Sequence, residues 1–435
     1  MPYEPTWKSL DSRPCPAWYD EAKFGIFVHW GVYSVPAWDV KGSYTEWYWF
    51  WLAGGWNAIL NRESAIPEFH AKTYGKDFKY QDFAPLFKAE LFDPDQWADL
   101  FAKSGARYVV LTSKHHDGFC LWPSPHSWNW NSMDIGPKRD LVDDLTRAVR
   151  ARGLKMGFYY SLYEWFNPFY MYQPTRYVDE HMIPQFKDLV QRYQPSLIFS
   201  DGEWDHPSTL WRSRELLAWL FNKSACRKDV VVNDRWGRET RSKHGGYFTS
   251  EFGEGGDVCQ NQKLKLSHKW EENRGMGASF GFNRNESIFE YRTSTELIHI
   301  LINTVSMNGN LLLNIGPTAD GRIPVIMQER LMDIGRWLEV NGESIYGTRP
   351  WTETAEGEHI RYTCRGNTLY AICLKWPKEE LVLRAPTPTE ATEIRMLGCE
   401  QPLNWQYADG ALRIETPSLS IDEMPCHHAY VFKIE

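Results

Sequence analysis

The feature that most narrows the fold is a recurring pattern rather than a repeat. Short β-branched or aromatic runs alternate with stretches of helical periodicity through the first three-quarters of the chain. Strands are expected at Phe24–Trp30, Tyr108–Thr112, Lys155–Tyr160, Ser196–Ser200, Val230–Asn233, Tyr247–Ser250, Ser279–Phe282 and Leu311–Ile315. Helices are expected at Asp95–Ser104, Lys138–Arg152, Tyr177–Tyr193, Ser208–Asn222, Thr293–Asn308 and Val325–Asn341, the first two stopped by Gly105 and Gly153. Eight such strands interleaved with helices over roughly 300 residues predict an α/β fold, a (β/α)8-like (TIM-type) barrel rather than a sandwich. The first unit is irregular, because Val32–Lys88 is long, aromatic and rich in Gly. After Tyr346 the pattern changes. His359–Cys364, Thr368–Leu374, Leu381–Leu383, Thr392–Met396, Leu412–Ile414 and Tyr430–Ile434 read as strands, with turns at Gly366-Asn367 and Asp409-Gly410. They predict a small C-terminal antiparallel β-sandwich. The expected division is 1–346 for the barrel and 347–435 for the sandwich; a chain of 435 residues also favours two domains.

Bulk properties exclude some functions. A net charge of −8 leaves no basic excess to meet phosphates, so nucleic acid is not an expected partner. No apolar run approaches the ~20 residues that span a bilayer. The opening MPYEPTWKSL lacks the basic-then-apolar order of a signal peptide, so a cytoplasmic location is expected, with secretion or lysosomal delivery only if a leader had been removed. The eight cysteines, Cys259 among them, form no C-x-x-C pair, which points to free thiols rather than zinc or a disulfide framework. Trp, Tyr and Phe each occur 22 times, a content that suits either a large aromatic core or platforms for the CH faces of sugars. Exposed aromatics make a homo-oligomer an expectation as well.

Barrel enzymes place their chemistry at the C-terminal ends of the strands, and here those ends are polar. They read His29-Trp30-Gly31, Lys114-His115-His116-Asp117, Tyr159-Tyr160-Ser161, Ser200-Asp201-Gly202-Glu203-Trp204, Asn233-Asp234-Arg235 and Thr249-Ser250-Glu251. Glycoside hydrolysis needs one carboxylate to attack or activate water and one carboxylic acid to protonate the leaving oxygen. Asp201, after the apolar run Leu197-Ile198-Phe199, fits a rim nucleophile; a helix N-cap is its alternative. Glu251 ends a later strand near enough to share one sugar, with Glu203, Glu254 and Glu271 as rivals. Neighbouring side chains on a rigid strand face opposite ways. His115 and His116 are therefore expected to bind hydroxyls rather than chelate one metal, although a loop would permit chelation. His29 is either a core residue or a ligand. Arg235 would pair with a helix or hold a carboxylate charged. Of Trp47-Tyr48-Trp49-Phe50-Trp51, some should border the pocket or a subunit contact, while Trp49 to Trp51 also suit a buried plug.

The segments FGIFVHWGVYSVPAW, EWY from Glu46, LTSKHHDGFCLWPS, GPKRDLVDDL, GFYYSLYEWFNP, LIFSDGEWD, VNDRWG, HKWEENRGMGASFGFNRNE and NGNLLLNIGPTADG occur in this order. Together they resemble the α-L-fucosidases of glycoside hydrolase family 29, from about Trp18 to Trp351. The resemblance implies a metal-free, cofactor-free barrel with a β-sandwich, acting on fucosylated oligosaccharides or glycoconjugates with retention of configuration. It implies Asp201 as nucleophile and Glu251 as acid/base, with Glu271 of the KWE triplet as rival. It implies a sugar-binding set of His29, Glu46, Trp47, His115, His116, Tyr159 and Arg235. Phe199 stands where many relatives carry Trp, and with Trp47 and Phe282 it is expected against the apolar parts of fucose. The competing expectations are a retaining glycosidase for another sugar, such as an α-galactoside, and a lapsed, sugar-binding relative.

Overall fold

The computed structural model describes residues 2–55, 64–253 and 261–435. Among these, eight parallel strands form one curled sheet: β1 (Phe24–Val28), β2 (Tyr108–Lys114), β3 (Lys155–Ser161), β4 (Leu197–Asp201), β5 (Val231–Val232), β6 (Phe248–Glu251), β7 (Trp270–Gly275) and β8 (Gly309–Ile315). They are ordered β5-β4-β3-β2-β1-β8-β7-β6. Alternation along each strand explains the two cores. Phe27, Val110, Tyr159, Leu197, Phe199 and Leu312 pack together inside the sheet. Ile26, Val28, Val109, Ile198 and Leu313 face the surrounding helices in the larger cluster. The helices of this layer carry the expected stop and start signals. Asp93 caps Pro94–Lys103 by accepting from the amides of Asp95 and Gln96, and Thr293 and Glu296 form a reciprocal capping box on Ser294–Ser306.

The seventh strand is not where the apolar pattern places it. Ser279–Phe282 is loop, and the strand is the polar segment Trp270–Gly275, buried along its whole length. A polar strand survives burial only if its side chains find partners. Glu271 accepts from Tyr19 and Tyr108 at 2.8 and 2.6 Å, Glu272 accepts from Ser250 at 2.5 Å, and Asn273 donates to the Ser250 carbonyl at 3.0 Å.

Among the described residues no strand–strand ladder joins β5 to β6. One main-chain bond, from the Gly246 amide to the Val232 carbonyl at 2.9 Å, crosses that seam, and side chains do the rest. The Thr249 amide and hydroxyl both donate to Asp234, at 3.2 and 2.7 Å, and Arg235 Nε donates to Thr249 Oγ1 at 3.0 Å.

Beyond Asn341 the chain forms two antiparallel sheets, one of five strands in the order β13-β16-β11-β10-β9 and one of three, β12-β15-β14. These are β9 (Arg349–Glu356), β10 (Ile360–Arg365), β11 (Thr368–Cys373), β12 (Glu380–Leu383), β13 (Ile394–Met396), β14 (Trp405–Ala408), β15 (Ala411–Glu415) and β16 (Tyr430–Ile434). The sheets enclose their own apolar cluster around Tyr362, Leu383, Met396 and Phe432. The unit docks on the barrel helices, where Trp337 donates to the Ala429 carbonyl at 2.9 Å and Arg361 to Asn303 at 2.6 Å. Among the described residues no helix is long and apolar enough to cross a membrane. Cys259 and Glu254 lie outside the described residues.

Candidate active site

Asp201 is the last residue of β4, and the next helix starts only at Ser208, so Asp201 caps nothing. Gly202 follows at φ +73°, where a Cβ would come within 2.5 Å of Tyr163 Cβ. Glycine therefore lets the chain turn off the strand while the Asp201 carboxylate stays over the barrel mouth. That mouth is a cavity of about 210 Å³. At about 30 Å³ per water it holds roughly seven waters, the scale of one sugar ring.

His29, Glu46, Trp47, His115, His116, Tyr159, Phe199, Asp201, Arg235 and Glu251 all line this cavity. Two of the expected residues lie elsewhere. Phe282 is replaced in the wall by Phe280, because the segment is a turn whose carbonyl at Phe282 accepts from Thr45. Glu271 stands near the opposite, N-terminal end of the strands, bonded to Tyr19 before β1 and to Tyr108, the first residue of β2. Burial pushes its carboxyl up to about 7, and it is too far along the strand to meet Asp201 across a sugar. Glu203 is wholly buried behind Asp201, held by Arg241 Nε at 2.5 Å, and burial raises its pKa.

The sequence does not single out Phe27, Tyr44, Trp204, Asn273 and Phe280, which complete the lining together with Trp51, for which the sequence left pocket border and buried plug both open. Trp204 was within reach of the SDGEW motif and Asn273 of a period-2 reading of β7. Tyr44 and Trp51 sit in the irregular first loop, which has no periodicity to read.

Charge in the site is organised around Arg235. Its Nη1 donates to Asp201 Oδ1 at 2.8 Å, and its Nη2 pairs with Glu251 Oε1. Two carboxylates on one planar fork have their bonded oxygens within roughly 7 Å of each other. The guanidinium also lies over the Phe199 ring, 4.9 Å from its centroid. Burial opposes ionisation of Asp201, but Arg235, followed by His116 and Arg241, outweighs it and lowers its pKa to about 2. Tyr159 donates to Asp201 Oδ2 at 2.9 Å. Tyr160, the next residue on β3, instead donates to Gln185 at 2.8 Å on the helix side.

The histidines are fixed as acceptors. Asn314 donates its Nδ2 to the Phe280 carbonyl, which turns its Oδ1 toward His29 Nδ1 at 2.6 Å. His29 must then carry its proton on Nδ1 and present a bare Nε2. Ser161 donates to the Tyr163 carbonyl at 2.7 Å, so it accepts from His116 Nδ1 at 2.7 Å. His116 Nε2 is likewise bare, 3.7 Å from Asp201. Burial lowers the pKa of His29 to about 3 and of His116 to about 4, and drives His115 well down, so all three are neutral near pH 7. His115 and His116 sit on the turn after β2, which is why both reach the cavity despite being adjacent. The turn is braced from behind by Trp165, whose amide donates to the His116 carbonyl at 2.8 Å, and by the buried pair Lys114–Glu164 at 2.6 Å.

Glu46 accepts from the Gly281 amide at 2.9 Å, and burial pushes its pKa up to about 7. Of the aromatic run, Trp47 and Trp51 reach the cavity wall, while Trp49 packs on Trp165 and Phe166.

A family model described as alpha-L-fucosidase matches residues 1–343, and one described as the alpha-L-fucosidase C-terminal domain matches 353–435. This chain belongs to the α-L-fucosidase family. Mouse tissue α-L-fucosidase is 46% identical over 444 residues, covering 99% of this chain and 94% of the mouse protein. Human tissue α-L-fucosidase is 45% identical over 443 residues, covering 99% of this chain and 91% of the human protein. The crystal structure of the Thermotoga maritima α-fucosidase in complex with fucose superposes with a TM-score of 0.82 at 36% identity, covering 100% of both chains. As in the α-L-fucosidase family at large, then, this chain is a glycoside hydrolase with a TIM-like barrel and a C-terminal sandwich.

Proposed function

We propose that this chain hydrolyses terminal α-L-fucosyl linkages of glycans with retention of configuration, through a fucosyl-enzyme on Asp201. The observation that carries the reading is the pairing of Asp201 and Glu251 on one guanidinium above a cavity of one sugar's size. Asp201 is charged at any working pH, as a nucleophile must be. Both of its oxygens accept a hydrogen bond, yet a carboxylate has about four lone-pair sites, so one remains for carbon. Glu251 has a side chain 36% exposed and stands at the rim, where a leaving group and then a water can reach it.

In the first step a bond forms between an Asp201 oxygen and C1 as the C1–O bond breaks, and Glu251 gives its proton to the departing oxygen. In the second, Glu251 takes a proton from water, the water oxygen bonds to C1, and Asp201 leaves. Two inversions at one carbon return the original configuration. His29 and His116 offer bare Nε2 atoms to sugar O–H groups, and Glu46, protonated below about pH 7, adds a donor. Phe27, Phe199 and Phe280 make an apolar wall, with Phe27 5.1 Å from Phe199 and 6.4 Å from Phe280 by ring centroids. A methyl at C5 suits that wall. An α-L-galactoside, the same ring with a 6-hydroxyl, would bring that hydroxyl against it with no partner, at a cost of about 1–3 kcal/mol.

The test is turnover of 4-nitrophenyl α-L-fucoside against the 4-nitrophenyl α-L-galactoside, with NMR of the anomer first released. α-Fucose appearing first and Asp201→Ala losing several orders of magnitude in kcat, with unchanged folding, are the expected results. β-Fucose appearing first, near-normal activity of Asp201→Ala, or preference for the galactoside would overturn the reading.

A further inference from the structure

A second cavity, of about 630 Å³, opens beside the first and is three times its size. Tyr44 lines both. Phe252, the residue after Glu251, also lines it on the side toward the first cavity, and the Tyr44 and Phe252 rings lie 6.2 Å apart and nearly parallel. The position has a chemical meaning. A general acid must touch the glycosidic oxygen, so whatever hangs from that oxygen departs on the side of Glu251. We infer that this cavity holds the leaving saccharide, its first pyranose ring lying on Phe289. The inference rests on the fucosidase reading above and adds the site for the other half of the substrate.

Phe289 is 92% exposed and its neighbour Ile288 63% exposed, both on the cavity wall. Fully exposed rings of this kind are costly on a surface with nothing to cover them and serve well as platforms for the CH face of a sugar. Charge around the cavity is balanced. Of the two cations and two carboxylates that line it, Arg292 lies 3.9 Å from Glu296, while Arg274 lies 3.6 Å from Glu272 and Glu290 is paired with Lys41 at 3.0 Å. The guanidinium of Arg292 has a side chain 42% exposed and can donate to hydroxyls. A site with two cations and two carboxylates has no net pull on an acidic sugar. The expected occupant is therefore neutral, a hexose or N-acetylhexosamine carrying the fucose.

The experiment compares two substrates of the full-length protein, 4-nitrophenyl α-L-fucoside and a neutral fucosylated trisaccharide, in the wild type, Phe289→Ala and Arg292→Ala. The ratio of kcat/KM for trisaccharide over aryl fucoside should fall about fivefold to tenfold in each variant. The defucosylated disaccharide should also inhibit aryl-fucoside hydrolysis by the wild type and lose that inhibition in Phe289→Ala. An unchanged ratio, together with unchanged inhibition, overturns the inference while leaving the fucosidase reading intact. A wild type inert toward both substrates overturns the two together.

Discussion

Replacing Arg235 by Met isolates what the guanidinium does. The change keeps approximate volume on the Phe199 ring but removes the charge shared by Asp201 and Glu251. Arg235 is 2% exposed and Asp201 8%, so the variant leaves a buried carboxylate short of its main partner, a defect that costs about 3–5 kcal/mol. The wild-type lowering of Asp201 from 3.8 to about 2 is itself worth roughly 2 kcal/mol in linkage. The sign follows from proton counting. In the wild type the unfolded chain holds the Asp201 proton more tightly, so this contribution is full above pH 3.8 and is lost as pH falls through about 2. In Arg235→Met burial is opposed only by His116, Arg241 and the Tyr159 hydroxyl, Asp201 titrates higher in the folded state, and stability falls as pH rises above 4. The gap between the two proteins should therefore widen from pH 4 to pH 7. Urea unfolding at pH 4, 5.5 and 7 measures it, and a cycle with Asp201→Asn isolates the pair. The cost of Arg235→Met should shrink by about 1–3 kcal/mol when Asp201 is already neutral. A gap that does not change with pH, or strictly additive variants, would refute the account of the site as one charge network.

Three further outcomes are expected. Glu251→Gln should slow hydrolysis of fucosyl-oligosaccharides by about 10²–10⁴-fold, and aryl fucosides with good leaving groups much less, whereas Glu271→Gln at the far end of the barrel should leave kcat/KM within a few-fold; steady-state kinetics on both substrates decide it. Glu46 is held up near 7 by burial, so the folded state keeps its proton longer than the unfolded chain and stability should decline as pH rises from about 4.5 through 7; Glu46→Gln should flatten that part of the thermal-midpoint profile. Fucose binding, followed by calorimetry, should stay level from pH 7 to 5 as far as His29 and His116 are concerned, then weaken as His116 charges near pH 4 and its Nε2 lone pair is lost.

Much of the barrel was readable because each of β1 to β4 is a buried apolar run that stops at a polar residue, and the stop marks the mouth. Period two says that only one of Tyr159 and Tyr160, and one of Ile198 and Phe199, can face inward; the family resemblance pointed to Tyr159 and Phe199, and both pack inside the sheet. The reading failed where burial is achieved by pairing instead of hydrophobicity. WEENRG has no apolar signature, so β7 was displaced to Ser279–Phe282, and the aromatic assigned to the pocket moved from Phe280 to Phe282. The same cause hid β9 and β14, edge strands of mixed polarity in the sandwich that no apolar run announces. Glu271 remained a rival for the acid because its place along β7 depends on that missed register. Arg241 gives no signal in the sequence; it reaches Asp201 at 3.7 Å from the loop between β5 and β6.

The gap between β5 and β6 has an architectural consequence. Where other neighbours in the sheet are tied by a ladder of main-chain rungs, this joint has the single bond from the Gly246 amide to the Val232 carbonyl and is otherwise laced by Asp234, Thr249 and Arg235. The residue that holds Asp201, the proposed nucleophile, in its charged form is thus also a fastener of the cylinder. Selection cannot adjust one duty without disturbing the other, whereas the width of the entrance at this joint can drift through side-chain changes that leave every remaining rung untouched.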